Sequence, residues 1–329
     1  MRAVVVSRHG GPEVLETREA PAPEPGRGQV LIRVAYAGVN FAELMGRSRG
    51  GAYARELPYI PGYEVSGAIE ALGEGVDGLR VGQPVAALSI FGGYAELAVA
   101  QAALTFPLDG RPRTISLEQA AAFPTNGITA YDLLTRAGRL TAGERVLVHA
   151  ASGGVGSAVG QIARALGAGQ ILGVASTAEK AAAAKAFGYD AVFPTATYEQ
   201  GVMEATGGKG VDIALDPSGE PTRSRNRALL AVFGRLVVFG NASGAPEEPV
   251  IPSSLMGSNT SVVGYSITAL TRTAPVRVAE SAKHVLDLMA DGKLTFTIDT
   301  LPLEDAAEAH RRIEARTHVG KLLLAVRPE

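Results

Sequence analysis

The chain has 329 residues, 46% hydrophobic and 19% charged, with 31 basic against 33 acidic side chains and no Cys or Trp. At roughly 150 residues per domain this is about two domains of globular composition. A formal charge of −2 lacks the basic excess of a general nucleic-acid binder, so no nucleic-acid partner is expected. Without Cys there is no disulfide, Cys nucleophile, Cys-ligated zinc or iron–sulfur cluster. No run of about 18 apolar residues exists, and the apolar stretch at Met1–Val6 is too short for a signal peptide. No membrane span and a cytoplasmic location are expected.

The first third reads as short strands punctuated by Gly and Pro. Strands are expected at Arg2–Val6, at Gln29–Ala37 after a turn-rich linker around Pro21–Gly28, and at Glu64–Ala71, Pro84–Ala87 and Tyr94–Ala100. This pattern predicts a partial β-barrel. Helices follow at Leu117–Phe123 and Thr129–Ala137, separated by the breaker Pro124-Thr-Asn-Gly127. Strands and helices then alternate. Strands are expected at Arg145–Ala150, Gln170–Val174, Ala191–Phe193, Val211–Leu215, Arg235–Phe239 and Ser261–Gly264. The helices between them fall at Val155–Leu166, Ala178–Phe187, Tyr198–Ala205 and Thr222–Ala231. Such alternation predicts a doubly wound parallel sheet, so the fold class is α/β. A helix at Val276–Asp291 and a strand at Lys321–Val326 close the chain, the strand returning to the first domain.

The strongest local signal is Arg145-Val-Leu-Val-His149 running into Ala150-Ala-Ser-Gly-Gly-Val-Gly156. An apolar strand enters a glycine turn and then a helix, the context that makes a dinucleotide fingerprint specific. Gly153 and Gly156 take its second and third glycine positions and Ala151 the first. Ser152, Gly153, Gly154, Val155 and Gly156 would cradle a pyrophosphate at the helix N-terminus. About 20 residues on, an NAD site wants Asp or Glu. Here the strand end is Val174-Ala-Ser-Thr-Ala-Glu-Lys180. Ser176, Thr177 and Lys180 suit a 2′-phosphate, which favours NADPH over NADH. Ser176-Thr-Ala-Glu179 also fits a capping box with Ser176 as the cap.

Taken together these motifs are recognisable. Ala37-Gly-Val-Asn-Phe-Ala-Glu-Leu-Met45, Pro61-Gly-Tyr-Glu-Val-Ser-Gly67, the glycine loop, Phe239-Gly-Asn-Ala-Ser-Gly244 and Val319-Gly-Lys-Leu-Leu-Leu324 resemble the zinc-independent medium-chain dehydrogenase/reductases, in particular the quinone oxidoreductases. Asn126–Leu134 and Asp216-Pro-Ser-Gly219 also resemble the vesicle amine transport protein branch, and polyketide enoyl reductases are similar. The resemblance implies a GroES-like domain (1–122 and 268–329) split around a Rossmann domain (123–267), with the active-site cleft between them. Zinc relatives carry Cys near Asn40, His at Tyr63 and Cys near Thr125, so no zinc is expected here. His149 is expected to be a packed strand residue.

Without a metal, a simple ketone is a demanding hydride acceptor. A quinone or α,β-unsaturated carbonyl spreads the developing charge, and one or two neutral donors then suffice. The resemblance puts Asn40 and Tyr53 beside the nicotinamide as candidate donors, Tyr63 and Asn126 in the substrate pocket, and Thr129 in the same cleft. Phe239, Asn241 and Ser243 follow the fifth strand of the cofactor domain, at the carboxyl edge where ligands bind, and Ser266 follows the last. Two departures stand out. Val192-Phe193-Pro194 lacks the Tyr that helps hold a 2′-phosphate in quinone oxidoreductases, and Asn241 and Ser243 replace the Lys and Asp of polyketide enoyl reductases. The expected protein is an NADPH-dependent quinone or enone reductase. An enoyl-thioester reductase and a non-catalytic NADPH-binding scaffold are the alternatives. A homodimer formed through the sheet edge at Ser261–Gly264 is also expected.

Overall fold

The computed structural model describes residues 1–49, 56–89 and 91–327. They form two compact units, Met1–Ile128 with Thr268–Glu329 and Thr129–Ile267.

In chain order the first unit opens with β1 (Arg2–Val6), β2 (Leu15–Glu19), β3 (Gln29–Val39), α1 (Phe41–Arg49), β4 (Glu64–Leu72), β5 (Pro84–Leu88), β6 (Leu97–Gln101), β7 (Thr105–Pro107) and α2 (Leu117–Asp132). The second unit follows with β8 (Arg145–His149), α3 (Gly154–Ala165), β9 (Gln170–Ala175), α4 (Ala178–Lys185), β10 (Ala191–Pro194) and α5 (Tyr198–Ala205). It continues through β11 (Val211–Asp216), α6 (Thr222–Ala228), β12 (Leu230–Val238), α7 (Pro252–Ser258) and β13 (Ser261–Gly264). The chain ends through α8 (Ile267–Thr273), α9 (Pro275–Ala290), β14 (Ile298–Pro302), α10 (Ala306–Glu314) and β15 (Lys321–Ala325).

The first unit is built on a seven-stranded sheet of order β14-β15-β3-β4-β5-β7, with β6 also on β3. Bulges in the β3–β4 pairing, at Leu31/Ile32 and Val34/Tyr36, bend the long strand β3. The C-terminal strand β15 inserts between β14 and β3, so the chain's last strand completes its first sheet. Val30, Ile32, Val34, Val65, Ile69, Leu322 and Leu324 from these strands share one core. This is the GroES-like partial barrel of the α/β fold.

The second unit has a fully parallel six-stranded sheet, β10-β9-β8-β11-β12-β13. This is the doubly wound Rossmann order, whose direction reverses between β8 and β11, the place where such sheets bind ligands. Four of the five residues of β8 are buried, as expected of a central strand covered on both faces. β13 closes one edge of the sheet.

Some local expectations change. Pro124 does not break the helix, because α2 runs through it and then widens into a π-turn at Leu133–Ala137. Proline disturbs the helical ladder locally, and the next N–H, that of Thr125, donates to Glu64 Oε2 at 2.7 Å. The helix expected to reach Ala231 stops at Ala228, because Leu230 already pairs with Val211 in the sheet. The strand expected from Tyr94 begins at Leu97. Among the described residues no helix is long and apolar enough to cross a membrane.

Candidate active site

The glycine loop is built from backbone geometry. Ala150, just past β8, takes a left-handed φ of 53°, and the Ala151 N–H donates to Val174 O of the neighbouring strand at 3.1 Å. Gly153 is the N-cap of α3 and supplies no side-chain cap. The helix's first i→i−4 bond runs from Ser157 N–H to Gly153 O at 2.8 Å. The N–H groups of Gly154, Val155 and Gly156 precede it, so they have no intrahelical acceptor and lie at the positive end of the helix dipole. A Cβ on Gly156 would lie 2.3 Å from Ala150 O. Only glycine lets the helix approach the strand end this closely. Ser152 is buried in the same turn. These five residues form an anion cradle at the switch point, and they fit a dinucleotide pyrophosphate.

At the end of β9, Ser176 and Thr177 are exposed. The cap differs from the expected one: Thr177, not Ser176, caps α4, its Oγ1 accepting from Lys180 N–H at 3.3 Å. The Thr177 hydroxyl also bonds to Glu179 and helps hold that carboxyl below its usual range, after the backbone bond that contributes most. Thr177 is thus engaged at both lone pair and proton. On the adjacent strand Pro194 is in register with Ala175.

The loops after β11 and β12 lock together. Asp216 accepts from Ser218 N–H (2.8 Å), Gly219 N–H (3.2 Å) and Arg223 Nε (3.0 Å). Arg223 is buried and also donates to Gly240 O (2.8 Å) and Glu247 (2.9 Å). Phe239 N–H donates to Asp216 O. Ser243 Oγ donates to Asn241 Oδ1 at 3.2 Å, and a Cβ on Gly219 would fall 2.0 Å from that oxygen. Phe239, Asn241 and Ser243 are therefore brought together at the carboxyl edge. The Asp216–Arg223 brace escaped sequence reasoning. Its signal was the Asp216-Pro-Ser-Gly219 turn followed by an Arg. After β13, Tyr265 hydrogen-bonds Asp132 Oδ2 at 3.1 Å and also bonds Thr129. This links Thr129 to the segment that carries Ser266.

The first unit contributes a buried charge cluster. Lys321 Nζ donates to Glu64 Oε1 at 2.5 Å and to Asn40 Oδ1 at 2.6 Å. Asn40 Nδ2 donates to Glu64 Oε1 at 2.9 Å and reaches Glu43 Oε1 at 3.4 Å. Glu43 caps α1 by accepting from Asn40 N–H at 2.6 Å, the reciprocal half of a capping box. Its other oxygen accepts from Tyr63 N–H at 3.0 Å. Burial pushes the Glu43 carboxyl up to about 7, against the pull of Lys321. The expectation that Asn40 donates directly to a substrate carbonyl needs correction, because both ends of its amide are engaged inside the cluster. Tyr63 is buried with its ring centroid 5.4 Å from Phe91, and Asn126 is buried on α2. Tyr53 lies outside the described residues. In the sequence Lys321 stands at the start of a strand and inside the Val319–Leu324 motif, and no spacing rule links it to residues about 280 positions away.

Zinc does not fit this set. Asn40, Tyr63 and Thr125 offer no thiolate or imidazole, and an ammonium sits against the Asn40 oxygen. His149 is packed as expected, its Nε2 2.8 Å from Asn226 and its ring edge-on to Tyr198.

Residues 26–110 match the family model described as alcohol dehydrogenase GroES-like domain, and residues 154–291 match the model described as zinc-binding dehydrogenase. The chain is 37% identical over 332 residues to quinone oxidoreductase of Rattus norvegicus, covering 98% of this chain and 97% of that one. It is 33% identical over 351 residues to the synaptic vesicle membrane protein VAT-1 homolog of Rattus norvegicus, covering 100% and 85%. The solved Escherichia coli quinone oxidoreductase complexed with NADPH superposes with a TM-score of 0.91 at 32% identity, over 99% of this chain and 100% of that one. On this fold, this glycine loop and full-length identity of this order, the chain belongs to the quinone oxidoreductase family of medium-chain dehydrogenase/reductases.

Proposed function

We propose that the protein is an NADPH-dependent, metal-free reductase that transfers hydride to a quinone or to the C=C bond of an α,β-unsaturated carbonyl. The observation that carries this reading is the anion cradle at the β8–β11 switch point, followed by a second-strand end without a ribose-binding carboxylate. The solved NADPH complex of the Escherichia coli relative supports the cofactor assignment. Bound NADPH supplies the hydride. The α3 N-terminus and the N–H groups of Gly154–Gly156 hold its pyrophosphate. Ser176 and Lys180 hold the 2′-phosphate, with Thr177 fixing their turn. Phe239 and Asn241 neighbour the nicotinamide and the adenosine-side ribose, Ser266 faces the nicotinamide carboxamide, and Ser243 and Thr129 complete the cofactor site.

Hydride addition to a conjugated acceptor leaves charge delocalised over an enolate or hydroquinone oxygen. Neutral donors placed at that oxygen stabilise it without a Lewis acid. Tyr53 is the proposed donor, with Tyr63 and Asn126 shaping the pocket and Asn40 fixing the wall beside it. Most of the acceleration then comes from orienting donor and acceptor. A panel of acceptors tests the reading. NADPH oxidation with quinones and enones but not simple ketones supports it. Turnover confined to acyl-thioesters favours a biosynthetic enoyl reductase. Tight NADPH binding with no turnover on any acceptor favours a scaffold.

We also infer that the protein pairs with a second copy of itself through β13. Beside this sheet edge Phe233 is 74% and Met256 77% exposed. Phe233 is held at a φ of 63°, with its N–H donating to Asn259 O at 2.7 Å. A bulky residue in the left-handed region is strained, and burial against a partner offsets that strain. A groove of about 490 Å³ beside them is lined by Arg139, Leu255, Thr260 and Ser261. A monomeric mass in solution at micromolar concentration would contradict the pairing.

A further inference from the structure

The buried cluster around Asn40 holds more titratable groups than positioning an amide requires. Glu43 and Glu64 are both nearly inaccessible, with a single ammonium, Lys321, between them. The two carboxylates differ in their partners. Glu64 accepts from Lys321, Asn40 Nδ2 and Thr125 N–H, a set that includes a charge-assisted bond to the ammonium that Glu43 does not share. Glu43 accepts two backbone N–H groups and has no comparably short bond to a cation. One carboxylate therefore takes the ammonium, and the other sits in a dry environment that disfavours its charge.

Glu43 also borders a small cavity that the other members of the cluster do not line. Its walls are Ala42, Gly46, Tyr59, Pro61, Tyr63 and Phe91, and its volume is about 10 Å³. That is room for about one water molecule. The groups that face Glu43 from the packed elements are Asn40 at the start of its own helix, Glu64 and Tyr63 at the start of β4, Lys321 on β15, and Tyr94, with Tyr59 across the cavity; Arg47 of the same helix turns to His310 and Tyr94. Burial drives the Tyr94 hydroxyl well above its ordinary range, so Tyr94 does not compete for the proton.

We propose that Glu43 is the proton store of the reduction, releasing its proton through a water in the cavity framed by Tyr59, Tyr63 and Phe91. The role rests on the reductase reading above. Reduction adds one hydride and one proton to the acceptor. The hydride forms the new C–H bond, or the first new bond to a quinone. The Glu43 O–H bond breaks, its electron pair stays on the carboxylate, and the proton moves by way of the water to the enolate or hydroquinone oxyanion. Solvent then reprotonates the carboxylate. Because Glu43 acts through water, its effect is read in pH dependence and not in substrate contacts.

Infrared spectroscopy of the protein without cofactor tests the store directly. A protonated-carboxyl C=O band is expected to disappear as pH rises through about 7, and to be absent from Glu43→Gln. With NADPH and a quinone, the wild-type rate is expected to fall as pH rises past the same point. Glu43→Gln is expected to lose about 10²-fold in rate and to lose that pH limb. Gln keeps a carbonyl oxygen for only one of the Asn40 and Tyr63 N–H groups, which Glu43 bonds through different oxygens. Should the variant still fail to fold, the wild-type band and pH limb decide alone. An active wild type without the titrating band overturns the proton store and leaves the reductase reading intact. So does a folded Glu43→Gln with wild-type rate and pH profile. A wild type that reduces no acceptor overturns the reductase reading, and the store with it, whatever the band shows.

Discussion

The two units build their sites from different materials. In the second, Ala150 to Ser157 form the cradle almost entirely with backbone, and glycine is required because a single Cβ would strike Ala150 O at 2.3 Å. In the first, Asn40, Glu43, Glu64, Thr125 and Lys321 converge from four distant segments, and the cluster is held by charge. On the proposed reading, a charged cofactor would meet fixed dipoles that need no protonation state, and proton chemistry would fall to the one buried carboxyl that burial raises to about 7, Glu43. Substitutions in one region should therefore act through shape, and in the other through charge.

The largest expected effect is in the charge cluster. Lys321→Met leaves Glu43 and Glu64 buried together without the ammonium, and breaking such a pair costs about 3–5 kcal/mol. Denaturant unfolding should show this loss. A change below about 1 kcal/mol would mean that the pair is not the element holding β15 to β4. The corresponding lesion in the cradle is Gly156→Val, where overpacking costs about 1–3 kcal/mol. It should abolish measurable NADPH binding while leaving the far-ultraviolet spectrum native. Retained affinity would separate the helix N-terminus from the cofactor.

A third prediction uses two buried groups of the first unit with opposite signs. Glu43 is raised from 4.5 to about 7, so its stabilisation is complete below the unfolded value and is lost as pH rises through about 7. His310 is fully buried beside Arg47, and burial, followed by the Arg47 charge, pushes it down to about 3. Its contribution is present above 6.5 and is lost as pH falls toward 3. Between the two unfolded values the slopes oppose each other. Glu43→Gln should remove the downward slope, so that its stability gain from pH 5 to pH 7 exceeds that of the wild type by about 1–3 kcal/mol. Parallel pH curves for the two proteins would contradict the raised carboxyl. The smallest effect belongs to the cradle's periphery. Lys180→Ala should weaken NADPH about tenfold, the scale of one exposed charge-assisted contact, and leave NADH unchanged. Equal losses for both cofactors would remove the 2′-phosphate role.

The same contrast explains how much was legible in the sequence. The cradle is mostly local: Arg145–Gly156 reads as strand, turn and helix because the bonds of the turn and of the helix start lie within a few residues, apart from Ala151 N–H to Val174 O. The parallel order follows from the alternation of elements. The cap at the end of β9 was misplaced by one residue, since Ser176 and Thr177 are chemically equivalent caps and only the backbone turn distinguishes them. Pro124 carried a correct local rule that tertiary structure overrode, with the Glu64 carboxylate taking the neighbouring N–H. The charge cluster was illegible because its members are scattered. Asn40 takes a role from family position, while Glu43 and Lys321 stand in the same family motifs without one, and without them its amide looks available for substrate.

The most direct test of the central claim is steady-state oxidation of NADPH by a quinone after exhaustive chelation of metals. The account predicts one NADPH consumed per quinone reduced, with NADH a poorer donor and the rate unchanged by chelator or added zinc. Activity lost on chelation and restored by zinc would contradict it, as would tight NADPH binding with no reduction of any quinone or enone.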